Sequence, residues 1–328
     1  MLRAMNAPAA PDLLLTASLL RALAWLQGER YEFITVTPAT HARVNARPFD
    51  PSRATLRDAF GWSRAFPPSL LPPEIRADLQ QSGLLVHLPD GLLLSRVRFS
   101  TVGGQLFAHS AHPTVEEDAV FLGPDTYRFA SLIEEELRRE PLKPGACILD
   151  VGCGAGGGGI VAARAATAAQ PHLFLTDINP RALQFAAANA AHAGCDGVQL
   201  RQGDLFAPVT GQPLDFVIAN PPYLNDAGQR AYRHGGGRWG EGLSERIVRE
   251  SMPCLAPGGR LVLYTGVAIV QGRDTLLESL RGDLAACGWA WRYRELDPDV
   301  FGEELEEPAY AEAERIAVTA LVLQRPHR

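Results

Sequence analysis

The sequence predicts an α/β fold: a largely parallel sheet with helices on both faces, preceded by a smaller, mainly helical front module. Three observations carry this. From about residue 143 strand-like and helical segments alternate, the pattern of strands joined by crossover helices. The last two strand-like runs, WAWRYREL (289–296) and RIAVTALVLQ (315–324), have no helix between them. They read as an antiparallel edge pair joined by an acidic loop, 297–314. The first third lacks the alternation and reads as helices followed by a β-hairpin.

In the front module, Leu14, Leu15, Leu19, Leu20, Leu23 and Trp25 recur at near-helical spacing over 13–27. The preceding residues form a short, interrupted apolar stretch without a small-residue cleavage site, so the N-terminus is expected to be helix and not a signal peptide. Turn and polar residues fill 38–52. LRDAFGWSRAF (56–66) follows, then Pro67, Pro68, Pro72 and Pro73, and a short helix over 72–85 ending at Gly83. LLVHL and LLLSRVRF flank Asp90-Gly91, a hairpin signal. The module is either winged-helix-like or a helical cap with a hairpin.

In the second part, ACILDV (146–151), HLFLTD (172–177), GVQLR (197–201), LDFVIA (214–219) and RLVLYT (260–265) read as strands. Helices are expected over 160–170, 180–194, 244–255 and 273–287. The domain division expected is 1–115 for substrate recognition and 116–328 for catalysis.

Composition excludes several classes. Among 328 residues, 46% are hydrophobic and 21% charged, an ordinary globular balance. No run of 18 apolar residues is present, so no membrane span is expected. Cys147, Cys153, Cys195, Cys254 and Cys287 include no C-x-x-C pair. They read as thiols in a reducing cytoplasm, with no metal site. Residues 1–115 carry 11 Arg and 8 Asp/Glu, against 20 Arg/Lys and 29 Asp/Glu in the remainder. The front could track phosphates through Arg43, Arg47, Arg53, Arg57 and Arg64, or those arginines could be a solvated face.

Four motifs carry chemistry. The first is Asp150-Val151-Gly152-Cys153-Gly154-Ala155-Gly156, which leaves a strand and enters a helix. Glycines there let the backbone approach a ligand. A plain tight turn or a nicotinamide-binding turn looks similar, but the acid at the strand end suits a cationic amino group. The second is Asp177, 21 residues after Gly156, placed to accept ribose hydroxyls. It could instead cap a helix, a role for which Asn179 competes. The third is Asp204-Leu205, whose acid can accept from an adenine amino group while the leucine packs on the ring; a plain turn acid is the alternative. The fourth, Asn220-Pro221-Pro222-Tyr223, decides among these readings. An sp² nitrogen has its lone pair delocalised and nucleophilically weak. The Asn220 side-chain oxygen and the Pro221 carbonyl can hold its N–H groups and present the lone pair. Pro222 stiffens the loop, and Tyr223 offers a face for stacking.

At these residues the chain resembles the class I S-adenosylmethionine (SAM)-dependent methyltransferases. Within them it is most similar to the amino-methylating group carrying Asn-Pro-Pro-Tyr. That group includes the release factor glutamine methyltransferases and RNA N-methyltransferases of the methyltransferase small domain type. The resemblance covers about 118–328. Phe121–Thr126 resembles the segment covering the SAM site, residues 236–246 the glycine-rich loop and its helix, and Leu255–Gly259 the turn before the fifth strand. It implies a Rossmann-like seven-stranded sheet with an antiparallel terminal pair, and SAM as cofactor. The implied cofactor residues are Thr126, Asp150, Gly152, Cys153, Gly154, Gly156, Asp177, Ile178, Asp204, Leu205 and Asn220. The implied catalytic residues are Asn220, Pro221, Pro222 and Tyr223.

The chain departs from the family's usual Pro-Arg-Pro-Glu/Asp-Thr-Glu at Leu122-Gly123-Pro124-Asp125-Thr126-Tyr127, and its front is longer. The expected function is N-methylation of a planar nitrogen in a macromolecule, a release-factor-like protein glutamine or an RNA base. DNA or a small molecule remain alternative acceptors. A catalytically dead binding module is disfavoured by the intact acids and the Asn-Pro-Pro-Tyr set.

Overall fold

Helix α1 (Leu13–Gly28) turns Leu15, Leu19, Leu23 and Leu26 inward, as their spacing predicts. The computed structural model describes residues 13–114, 116–226, 228 and 233–327; the part of the N-terminal helix expected before residue 13 lies outside them. The stretch 38–52, read from its polar residues as turns, instead contains helix α2 (Pro38–Asn45). The Thr37 side chain accepts from the Thr40 N–H, and Pro38 stands in the first turn, where a missing N–H costs nothing. Helix α3 (Leu56–Phe60) opens with a reciprocal cap between Thr55 and Asp58. Helix α4 (Pro73–Gln81) stops short of Gly83, which turns left-handed at φ 70°.

Strands β1 (Leu85–His87) and β2 (Leu93–Ser95) pair antiparallel across Asp90-Gly91, as expected. The second run, read as one strand, divides after Ser95, whose hydroxyl donates to the Val97 carbonyl. Beyond it β3 (Val97–Val102) and β4 (Gln105–Ser110) form a second hairpin. The front therefore holds helices and two separate hairpins among the described residues.

Then follow α5 (Pro124–Arg139), β5 (Cys147–Val151), α6 (Gly157–Ala165), β6 (His172–Asp177), α7 (Pro180–His192), β7 (Gln199–Gln202) and β8 (Leu214–Ala219). The chain closes with α8 (Gly242–Ser251), β9 (Leu255–Val270), β10 (Arg273–Asp274), α9 (Thr275–Cys287), β11 (Ala290–Asp297) and β12 (Arg315–Gln324). Helix α6 begins three residues before the expected Ile160, on glycines of poor helix propensity. Packing explains them: a Cβ on Gly158 or Gly159 would collide with Phe129 or Leu175. Strand β9 runs past the expected Thr265 to Val270 and folds back through β10.

Across the main sheet the order is β11-β12-β9-β8-β5-β6-β7. The β5–β8 and β5–β6 pairs are parallel, and so is β8–β9. The expected antiparallel terminal pair is present. Only β11 is at the edge, however, because β12 inserts between it and β9, antiparallel to both. The burial follows: β12 is almost wholly buried and β11 mostly exposed. This is the Rossmann-like sheet with an antiparallel terminal pair that the resemblance implies.

The winding runs outward from β5 through β6 to β7, then returns to β8 on the other side. The crevice at such a reversal, outside the C-terminal strand ends, is where open α/β sheets bind ligands. Val151 stands opposite Ala219 in the β5–β8 register, so Gly152 and Asn220 leave the sheet side by side.

The hydrophobic core does not break at residue 115. Leu19, Leu23, Phe60 and Phe99 of the front pack in one cluster with Ala182, Phe185 and Ala188 of α7. Asn189, wholly buried on α7, accepts from the Ala108 N–H and donates to the Ala108 and Ala155 carbonyls. One amide thereby satisfies β4 backbone that burial would otherwise orphan and ties it to the glycine turn.

Candidate cofactor and catalytic site

The C-terminal end of β5 turns sharply through Gly152 and Gly156, at φ 66° and 83°. A side chain would be strained at both. A Cβ on Gly152 would meet no atom within 4 Å, whereas one on Gly156 would press Ile160, Ala186 and Leu175. Gly152 therefore faces the crevice, and Gly156 seats α6 on the sheet. The crevice holds a cavity of about 80 Å³ lined by Thr126, Asp150, Gly152, Cys153, Gly154, Asn220, Phe121, Leu122, Phe129, Ala155, Gly157 and Gly158. It brings together six of the expected cofactor residues. Gly156, Asp177, Ile178, Asp204, Leu205, Pro221, Pro222 and Tyr223 are not on its wall.

Asp150 lies at the cavity floor, 2% exposed, and its carboxylate accepts the Gly159 N–H at 2.7 Å. Burial pushes this carboxyl up from 3.8 to about 7; the Gly159 N–H opposes the rise and the charge of Asp177 adds to it. Asp177 accepts the Gly154 N–H on one oxygen and the Asn179 N–H on the other, each at 2.8 Å. Burial raises its carboxyl too. The competing cap role falls to Asn179, whose side chain accepts the Arg181 N–H at 2.9 Å. Asp177 thus pins the glycine turn and keeps acceptor lone pairs beyond those two bonds. Ile178, beside it, is 64% exposed.

Asp204 is half-exposed and pairs with Arg246 of α8 at 2.8 Å. Leu205 adopts φ 44° and is buried in the core with Phe206, Val209 and Leu214. Its side chain is not laid open for a ring to rest on.

Asn220 follows β8 into the cavity wall. Among the described residues its amide has no hydrogen-bond partner, and no N–H reaches the Pro221 carbonyl. Both acceptors are thus unpaired, but only Asn220 lines the cavity; Pro221 is buried next to it. The loop beyond is held by the glycine-rich segment: Leu224 N–H donates to the Arg233 carbonyl and Gly235 N–H to the Leu224 carbonyl. A Cβ on Gly235 or Gly240 would collide with the backbone of Pro222, Tyr223 or Leu224.

Tyr223 departs from expectation. Its ring is 7% exposed, edge-on to Phe301 at 5.9 Å between centroids and pressed against Gly266. Its hydroxyl donates to the Asp125 carboxylate. The ring is a packed anchor, not an open stacking face, because β9 and the 297–314 loop close over it. Asp125, to which sequence reasoning gave no role, also accepts from Tyr264 at 2.8 Å. The only sequence signal for it was its place in the segment resembling the family's cofactor cover, as for Arg246 its place in the stretch 236–246; nothing pointed to Tyr264 or Asn189.

The residues at this crevice fit SAM. An open Gly152, the amides of the first turn of α6 and two acids match a ligand with a carboxylate, a cationic amine and a sulfonium. Helix N-terminal amides favour its carboxylate, and Asp150 with Asp177 favours its positive charge.

The model of the methyltransferase small domain family matches residues 129–281. Over 220 residues the chain is 31% identical to the release factor glutamine methyltransferase of Deinococcus radiodurans, covering 64% of this chain and 73% of that one. It is 36% identical over 151 residues to the ribosomal protein uL3 glutamine methyltransferase of Bordetella pertussis, 42% of this chain and 50% of that one. A solved structure of T. thermophilus 16S rRNA N2 G1207 methyltransferase with AdoMet and guanosine superposes with a TM-score of 0.45 at 15% identity, covering 76% of this chain and 61% of that one. The chain is an enzyme of the SAM-dependent methyltransferases and belongs to the family of the release factor glutamine methyltransferases.

Proposed function

We propose that this enzyme methylates the side-chain amide nitrogen of a glutamine in a protein of the translation machinery, in the cytoplasm, and that residues 1–115 recognise that protein. The observation that carries the reading is Asn220, which lines the cavity beside the open glycine turn with its amide unpaired among the described residues, followed in the chain by the equally unpaired Pro221 carbonyl. A primary amide has two N–H groups and a weak, delocalised lone pair. Two fixed acceptors hold both N–H groups, turn the lone pair toward the cofactor and stabilise the positive charge that develops on nitrogen. SAM supplies a methyl group already activated on a sulfonium. The protein therefore needs to orient and desolvate the acceptor, with no covalent enzyme intermediate. An exocyclic base amine would suit the same two acceptors. The buried Tyr223 ring removes the stacking platform such a base would use, and the relatives' glutamine substrates favour the amide.

The test supplies purified enzyme and tritiated SAM with release factors, ribosomal proteins and total RNA from cells lacking the gene. The reading expects label in protein, recovered as methylated glutamine after digestion. Label confined to RNA would overturn it.

A further inference from the structure

Asp125 joins two parts of the crevice that the sequence treats as separate. It sits in the first turn of α5, between Leu122 and Thr126, which line the cofactor cavity, and the buried side of the sheet. It is 9% exposed, and its carboxylate accepts from Tyr223 and, at 2.8 Å, from Tyr264. Arg128 lies 3.3 Å from the same carboxylate and reaches on to Asp297 at 2.9 Å. Tyr264 comes from the middle of β9 and is wholly buried, so it fixes Asp125 to the sheet. Tyr223 stands three residues after Asn220 in the loop whose acceptors are assigned to the substrate amide. Gly266 blocks the Tyr223 ring from one side and Phe301 from another, leaving the hydroxyl as its polar anchor.

We propose that Asp125 is a positioning residue for methyl transfer: it holds Tyr223, and through Tyr223 it sets where Asn220 and the Pro221 carbonyl stand relative to the cofactor cavity. This rests on the catalytic reading of the Asn220 loop and extends it to a residue that touches neither substrate nor cofactor. The device also makes physical sense of a tyrosine whose ring is unavailable for stacking. A carboxylate–phenol bond in a buried setting is charge-assisted and directional, and an error of an ångström in acceptor placement is costly.

The experiment is a double-mutant cycle with the full-length enzyme, using Asp125→Asn, Tyr223→Phe and the pair. Asn keeps the side-chain shape and one carbonyl acceptor, so the fold should persist; circular dichroism and melting temperature verify it. Each single variant should lose about ten- to a hundredfold in kcat, the range for a hydrogen bond to a charged group. SAM Kd should stay within about threefold, because neither residue is assigned to the cofactor. The pair should lose little more than either single variant, since both act through one bond. Multiplicative losses, unchanged kcat in either single variant, or a SAM Kd that worsens in step with kcat would overturn the proposal. The cycle is run on whichever acceptor takes label. If RNA is labelled and the cycle is still non-additive, the glutamine reading fails while the positioning role stands.

Discussion

Replacing Asp150 by Asn should stabilise the cofactor-free protein most at alkaline pH and leave it nearly unchanged only near pH 4 and below. The carboxyl is 2% exposed and accepts one N–H, from Gly159. Burial, the larger effect, pushes it from 3.8 to about 7. Below about pH 4 it is protonated in both folded and unfolded chains and contributes nothing to pH dependence. Between about pH 4 and 7 the unfolded chain ionises while the folded chain keeps its proton, so folding takes up a proton and stability falls as pH rises. Above about pH 7 both states are ionised and the folded chain carries the whole cost. Three pH units at about 1.4 kcal/mol each give a cost of about 4 kcal/mol. Asn has no charge to bury, and its carbonyl can still accept the Gly159 N–H.

Urea unfolding of wild type and Asp150→Asn at pH 5 and pH 8.5 should therefore show the variant gaining by about 2–3 kcal/mol on the wild type between the two conditions, two pH units lying between pH 5 and the folded value of about 7. The same carboxylate is assigned to the cationic amine of SAM, so the variant should bind SAM more weakly at pH 8.5. Wild-type affinity should rise through pH 7 as Asp150 loses its proton. Equal stability differences at the two pH values, or wild-type SAM affinity flat from pH 6 to 8, would refute the reasoning.

Asp177→Ala should weaken SAM binding by ~1–3 kcal/mol in calorimetry, because it removes the acceptor of the Gly154 N–H as well as the expected ribose contact; unchanged affinity would refute that assignment. Arg98→Met should be neutral or stabilising by thermal melt. Its guanidinium is 4% exposed over the Phe33 ring, and it forms no ion pair or hydrogen bond among the described residues, the setting in which an apolar isostere does as well; a loss above ~2 kcal/mol would show that the charge is balanced by a partner. A fragment beginning at residue 116 should not fold cooperatively, since it strips the cover from Ala182, Phe185 and Ala188 and leaves the Asn189 amide without Ala108; a sharp, two-state melt of that fragment would contradict the shared core.

The sheet was legible because its information is local. The strands carry continuous apolar runs, the helices are periodic, and the absence of a helix between 296 and 315 announced the antiparallel pair. The interior position of β12 was not legible. Both orders of the last two strands have the same sequence of elements, and only burial shows that RIAVTALVLQ belongs inside. Helix α2 was missed because its signal is a cap, Thr37 with Pro38, and not an apolar face. In the site, Asp150, Gly152 and Asn220 could be read because each sits at a strand end, where topology dictates direction. The burial of Tyr223 could not be read, because it depends on Gly266 and Phe301, 43 and 78 residues further along. Leu205 was misjudged for the same reason: its positive φ turns the side chain into the core.

The central claim is that Asn220 orients a planar amide nitrogen. Single-turnover methyl transfer from tritiated SAM to a glutamine-bearing release factor, compared for wild type and Asn220→Ala, tests it most directly. The account predicts a rate lower by about 10²–10³, as for deletion of one preorganised polar group, with SAM Kd changed much less than the rate. A full rate of glutamine methylation in Asn220→Ala would contradict it.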